Sequence, residues 1–245
     1  MGIHHHPPEA GVGYDSRDSH ESNQHEYNEP ATLRGGKSGT HRYNRRRLAI
    51  KINPRKLRGP WTDGYALDLH TLGSTFLGHN AYGHPEFDTQ RSPLGDLLYR
   101  LKNGGDQTVI PVIVEAVAAF VATWKIPLDA IVPVPPSNTR RANQPVMAIA
   151  NALGVALDVP LCEGCVTKNK STAQLKDVFD FKKRAEILGD AFGVDMKKTA
   201  GKRLLLLDDL YRSGATTSAI ARLLTSQGAA RAVYLLTLTQ TRKLA

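Results

Sequence analysis

Cysteine is nearly missing from this chain: its 245 residues hold two, Cys162 and Cys165. That excludes a disulfide framework of the kind that staples small secreted domains, and a reducing compartment is expected. Aromatic residues make up 7%, with 2 Trp among them. A surface that stacks unpaired bases has little to be built from. Long apolar runs are missing as well, since none reaches the ~18 residues of a membrane span. The opening MGIHHHPPEAG lacks the apolar core of a secretion signal, so a cytoplasmic protein away from membranes is expected. Acidic residues are in deficit, 23 Asp and Glu against 32 Lys and Arg, for a formal net charge of +9. Such a balance favours anionic partners, phosphorylated small molecules and nucleic acid alike. What remains is ordinary for a globular protein, with 41% hydrophobic and 22% charged residues and ample length for a buried core.

The most informative stretch is LLLLDDLYRSGATT, Leu204 to Thr217. An apolar run bounded by Lys202 and Arg203 reads as a parallel strand covered on both faces. Ser213, Gly214, Ala215, Thr216 and Thr217 follow as a loop of small and hydroxyl-bearing residues, and AIARLL then takes helical spacing. A phosphate placed there meets unpaired backbone N–H groups and the positive end of a helix dipole. Asp208 and Asp209 repel that phosphate, so they suit vicinal sugar hydroxyls or a divalent cation. Neighbouring strand residues point to opposite faces, so both acids serve one ligand only if the strand ends there. In an open α/β sheet this carboxyl edge is where ligands sit.

The stretch resembles the 5-phosphoribosyl-1-pyrophosphate (PRPP) motif of type I phosphoribosyltransferases: an apolar strand, two acids, three variable residues and a Thr/Ser-Gly-x-Thr loop. The resemblance implies Asp208 and Asp209 on the ribose hydroxyls as the catalytic acids. It places Tyr211, Arg212, Ser213, Gly214, Ala215, Thr216 and Thr217 around the 5′-phosphate. Arg212 stands where a small residue is common.

Elsewhere, residues 1–41 are polar and without periodicity, which predicts a disordered tail. His4 to His6 fall within it. Ala31 to Ser38, ATLRGGKS, fits a relaxed Walker A pattern, but the flanking NQHEYNEP and GTHRYNRRR supply neither the strand nor the helix that a P-loop needs. Arg42 to Arg58 concentrates positive charge around LAIKI, read as a short strand; it is either a phosphate-reading arm for nucleic acid or a guarded sheet edge. Residues 42–91 are expected to form that basic segment and a small β-rich hood, with His70, His79 and His84 in no zinc-like spacing. Residues 92–245 are expected to form the α/β core, with helices after Ser92-Pro93 and over Thr108 to Trp124.

Ala130 to Val134 reads as a core strand, and Val155 to Leu161 and Ala191 to Val194 as further strands. Arg140 and Arg141 after the first of these can hold a second phosphate group. The CxxC of Cys162 and Cys165 is taken as adventitious spacing. Lys168, Lys170 and Lys176, in a long polar connection, can close over a pyrophosphate. The alternation of β and α predicts a mostly parallel, helix-flanked sheet.

IVPVP, then Arg140 with Asn143-Gln144, then Thr172, Gln174 and Arg184 before DAFGVD, together with YRLKNGGD near the start of the core, look similar to ComF-type phosphoribosyltransferases. The cysteine-rich zinc element with which that branch commonly begins has no counterpart before Cys162. The resemblance implies transfer of ribose 5-phosphate between pyrophosphate and a nitrogenous base, with Mg²⁺ arriving on the substrate. A PRPP-sensing or nucleic-acid-binding protein on the same fold is the alternative, and a homodimer is left open.

Overall fold

The computed structural model describes residues 50–136, 144–169 and 191–242. Arg140, Arg141, Lys170 and Lys176, the tail with its Walker-like segment, and Arg42 to Arg47 lie outside them. In chain order the strands are β1 (Arg55–Lys56), β2 (Asp63–Leu69), β3 (Thr71–His79), β4 (Pro85–Arg91), β5 (Ala130–Pro133), β6 (Val166–Lys168), β7 (Phe192–Val194), β8 (Arg203–Tyr211) and β9 (Ala232–Gln240). The helices are α1 (Pro93–Gly104), α2 (Ile110–Trp124, entered through a 3-10 turn), α3 (Pro145–Leu157), α4 (Met196–Thr199) and α5 (Ala215–Ser226).

A five-stranded sheet, ordered β1-β2-β9-β8-β5, carries the core. Its β2–β9, β9–β8 and β8–β5 pairs are parallel, and only β1 runs against its neighbour. The run Leu204 to Leu207 is fully buried because helices cover both faces. Leu204 and Leu206 pack with Ile220, Ala221 and Leu224 of α5. Leu205 and Leu207 pack with Leu94, Ile113, Val117 and Ile149 from α1, α2 and α3. Each such leucine contributes about 2 kcal/mol of burial. The architecture is therefore an α/β fold with a mostly parallel sheet flanked by helices.

Local chemistry starts α1 where the sequence placed it. Ser92 Oγ accepts from the Gly95 N–H at 3.0 Å and donates to the Leu69 carbonyl at 2.5 Å, so one hydroxyl both caps the helix and ties it to the end of β2. Gly95 faces the His70 carbonyl so closely that any Cβ there would strike it. Gly105, at φ 66°, ends the helix in the left-handed region.

Several expectations need correction. The hood expected over 42–91 loses residues 63–69, since β2 is inserted in the central sheet beside β9; the β3–β4 hairpin forms a sheet of its own. Ile50 and Ile52 pack against the core without forming a strand, and the short strand falls instead at Arg55–Lys56. Residues 155–157 continue α3, which stops where Asp158 adopts φ 54°, and Leu161 makes only an isolated parallel bridge to Ile131. Residues 192–194 pair with β6 in a separate antiparallel ribbon. Cys162 and Cys165 face each other across a turn, their Cα atoms 5.6 Å apart.

Residues 107–124 make one helical stretch of 18 residues with mean hydropathy 1.6, which by length and composition alone would suit a membrane span. Here it packs Ile113, Val114, Val117 and Val121 into the core and turns Glu115 outward.

Candidate functional site

Three parallel neighbours, β2, β9 and β8, end together, so Leu69, Gln240 and Tyr211 mark one carboxyl edge. The two acids of β8 stand just inside it. Their joint use on one ligand required the strand to stop at Asp209, yet β8 runs on to Tyr211 in unbroken register with β9. The side chains therefore leave on opposite faces.

Asp209 is on the α1 side, where its Oδ2 lies 2.6 Å from Lys102 Nζ. Both side chains keep some access, 15% for Asp209 and 29% for Lys102. Lys102 is the basic residue of α1's last turn, where the helix dipole favours a cation. Asp208 goes inward. Its Oδ1 accepts from the Asp209 N–H at 2.9 Å, holding the backbone that presents the second acid. Burial first, and then the charge of Asp209, push the Asp208 carboxyl up to about 7. Beside it in register stands Thr237, whose buried hydroxyl has no hydrogen-bond partner among the described residues.

A polar chain crosses from β8 to the first residue after β2. Thr239 Oγ1 donates to the Asp209 carbonyl at 3.1 Å and lies 3.2 Å from His70 Nδ1. Because the hydroxyl proton is committed to that carbonyl, His70 donates through Nδ1–H and its Nε2 is the nitrogen with a lone pair. Burial, with the charges of Lys102 and Arg91, holds the imidazole below its ordinary pKa. Arg91, from the end of β4, lies with its guanidinium carbon 3.7 Å from the centre of the Tyr99 ring, and its buried Nε has no acceptor among the described residues.

The loop after β8 leads straight into a helix. Gly214 sits at φ 75°, and a Cβ there would collide with the Tyr211 hydroxyl, so both backbone and space demand glycine. α5 begins at the next residue with no side-chain cap and no acid in its first turn. The Ala215 N–H reaches Ser213 Oγ only at 3.4 Å, and the N–H groups of Thr216 and Thr217 have no intrahelical acceptor. Arg212 and Ser213 are exposed beside them. Thr217 turns its own hydroxyl inward to the Gly214 carbonyl at 3.1 Å, so it contributes to an anion site by its backbone alone.

Of the residues read from the sequence, the structure thus gathers Asp209 and the 211–217 turn at one edge, with Asp208 beneath. Lys168 belongs to the separate β6–β7 ribbon, opposite Phe192, and burial lowers its pKa. The sequence reading assigned no role to Lys102, Arg91 or Thr239, although Lys102 lies within the YRLKNGGD segment that supports the resemblance. Among the described residues no group of three His, Cys, Asp or Glu side chains converges on one point.

No family model and no curated protein matches this chain. Solved structures do. Adenine phosphoribosyltransferase from Saccharomyces cerevisiae, complexed with an imino-altritol bisphosphate and adenine, is 14% identical over 69% of this chain and 84% of its own, with a TM-score of 0.38. The Trypanosoma brucei adenine phosphoribosyltransferase, in complex with AMP, pyrophosphate and ribose-5-phosphate, is 12% identical over 77% and 86%, with a TM-score of 0.41. Leishmania donovani UMP synthase is 16% identical, with a TM-score of 0.34, and this chain covers 27% of it. Likenesses of that size bear no weight for function, which has to come from the site's own chemistry.

Proposed function

We propose that this protein is a phosphoribosyltransferase that moves ribose 5-phosphate between pyrophosphate and a nitrogenous base. One observation carries the reading: a twelve-residue helix begins without a cap at Gly214, directly after a buried strand that holds a carboxylate at the same edge. An anion seated on the Thr216 and Thr217 N–H groups, with Arg212 alongside, leaves its sugar near β8. Ribose hydroxyls donate hydrogen bonds, and a sugar reaching over the strand end to the α1 face would meet Asp209 as acceptor once Lys102 yields. Asp208 acts through Asp209, by holding its backbone.

In the proposed reaction a ring nitrogen attacks the anomeric carbon of PRPP as the bond from that carbon to pyrophosphate breaks. Positive charge builds on the sugar, and the Asp209 carboxylate stabilises it. The proton leaving the base goes to His70 Nε2, whose depressed pKa keeps it unprotonated at neutral pH.

A divalent cation fits this edge on the chemistry of the donors: Mg²⁺ is held by one or two carboxylates plus substrate phosphates, and Asp209 is a partly open carboxylate. Mg²⁺ would offset charge on the departing pyrophosphate. Arg140, Arg141 and Lys170 remain proposed pyrophosphate contacts by sequence alone.

The test is pyrophosphate release from PRPP and Mg²⁺ over a panel of purine and pyrimidine bases, paired with calorimetric binding of PRPP. Turnover on one base, abolished by Asp209→Asn, is the expected result. PRPP binding with no turnover on any base would favour the sensing alternative. Neither binding nor turnover would end the proposal.

A further inference from the structure

On the β1 side of the sheet a cavity of about 640 Å³ opens between the β1 segment and the ends of β8 and β9. Among the described residues its lining holds four cationic side chains, Arg55, Lys56, Arg58 and Arg242, and no acid. Two of these are engaged. Lys56 pairs with Asp63 at 2.7 Å, and Arg242 Nη1 donates to the Leu72 carbonyl at 2.9 Å. Arg55 and Arg58, both exposed, have no ion pair among the described residues. Like charges gathered around one concavity repel each other, and an anion relieves that repulsion. Guanidinium groups suit phosphate in particular, because their planar fork donates two parallel hydrogen bonds.

The other walls say what else the ligand carries. Tyr211 and Gln240 line the same cavity, one an aromatic ring and the other an amide with both donor and acceptor. The Tyr211 ring meets Trp61 edge-to-face at 6.3 Å, which steadies it as a platform. A ring for stacking, an amide for a base edge and paired arginines for phosphate match the parts of a nucleotide. The volume falls in the range that holds one small ligand, which a linear track for a polymer does not need to enclose.

We propose that this cavity, at the same carboxyl edge as the ribose phosphate site and sharing Tyr211 with it, binds a nucleoside polyphosphate beside that site, with Arg55 and Arg58 on the phosphates and Tyr211 and Gln240 on the base. Tyr211 also packs against Gly214, so the nucleotide would touch the residue that shapes the neighbouring loop.

Calorimetric titration of the full chain with ATP tests this, with excess ribose 5-phosphate present to fill the α5 site. One saturable ATP site per chain is expected, weakened about tenfold by Arg55→Ala and again by Arg58→Ala, the loss for one charge-assisted phosphate contact. Both residues are exposed, so folding is unaffected and circular dichroism checks it. Tripolyphosphate should bind more weakly than ATP. ATP affinity indifferent to both substitutions, equal affinity for tripolyphosphate, or binding only to single-stranded oligothymidylate with steep salt dependence would each overturn the assignment.

Discussion

Replacing Asp208 by asparagine should make the protein more stable, and only above mildly acidic pH. The folded carboxyl is pushed up to about 7 from an ordinary value of 3.8. A group whose folded pKa lies above its unfolded one contributes stability that is fully present below the unfolded value and is lost as pH rises through the folded one. Between about pH 4 and pH 7 the wild-type protein therefore loses stability at this position, because the unfolded chain ionises freely and the folded one does not. Asp208 keeps partial solvent access and shares its titration with Asp209, so the loss is set at roughly 1–2 kcal/mol, well below the full shift at about 1.4 kcal/mol per pKa unit. Asparagine cannot ionise and keeps an oxygen for the Asp209 N–H, so a gain of about 1–2 kcal/mol at pH 8 is expected, with little change at pH 4. Urea unfolding of both proteins at the two pH values reads it directly. Parallel curves, or a variant less stable at pH 8, would refute the reasoning that Asp208 is partly desolvated beside Asp209 without a full counter-charge.

Lys102→Met should lower the Mg²⁺ concentration needed for PRPP binding by about tenfold, since the ammonium and the cation compete for Asp209; calorimetry at a series of Mg²⁺ concentrations checks this, and an unchanged or higher requirement would count against the competition. His70→Gln should remove the acidic limb of the kcat/KM profile, which in the wild type falls below the ordinary histidine range. Gly214→Ala should cost about 1–2 kcal/mol of stability through the left-handed backbone and displace Tyr211, with ribose 5-phosphate affinity falling at least about tenfold. Ser92→Ala should cost about 1–2 kcal/mol, seen as a lower urea midpoint, because it uncaps α1 and leaves the Leu69 carbonyl without its partner.

The sheet's centre was legible because its signals are local. Four successive leucines need cover on both faces, and Ser92-Pro93 and Gly105 punctuate α1 by side chains that act within one turn. The glycine of the 211–217 turn was legible for the same reason. What failed were the long-range choices. β2 reads as an alternating strand wherever it pairs, and nothing in YALDLH says that its partner is β9, some 170 positions later. Val155 to Leu157 are β-branched or apolar and read as a strand, yet they continue the buried helix before them. At the site, the pairing of Lys102 with Asp209 and the Thr239 link to His70 exist only once β2, β8, β9 and α1 share an edge. The opposite facing of the two acids was foreseeable in one respect, because alternation forbids neighbours from sharing a face. Only the length of β8 decided that it applied.

The central claim is that the first turn of α5 and Asp209 together hold a sugar phosphate. Titrating the full chain with ribose 5-phosphate, followed by ³¹P line broadening and by amide shifts, puts that claim to the most direct test. We expect saturable binding that shifts the Thr216 and Thr217 amides and weakens when Asp209→Asn removes the acceptor for the hydroxyls. Binding that leaves those two amides unmoved, or no binding at all, would contradict it.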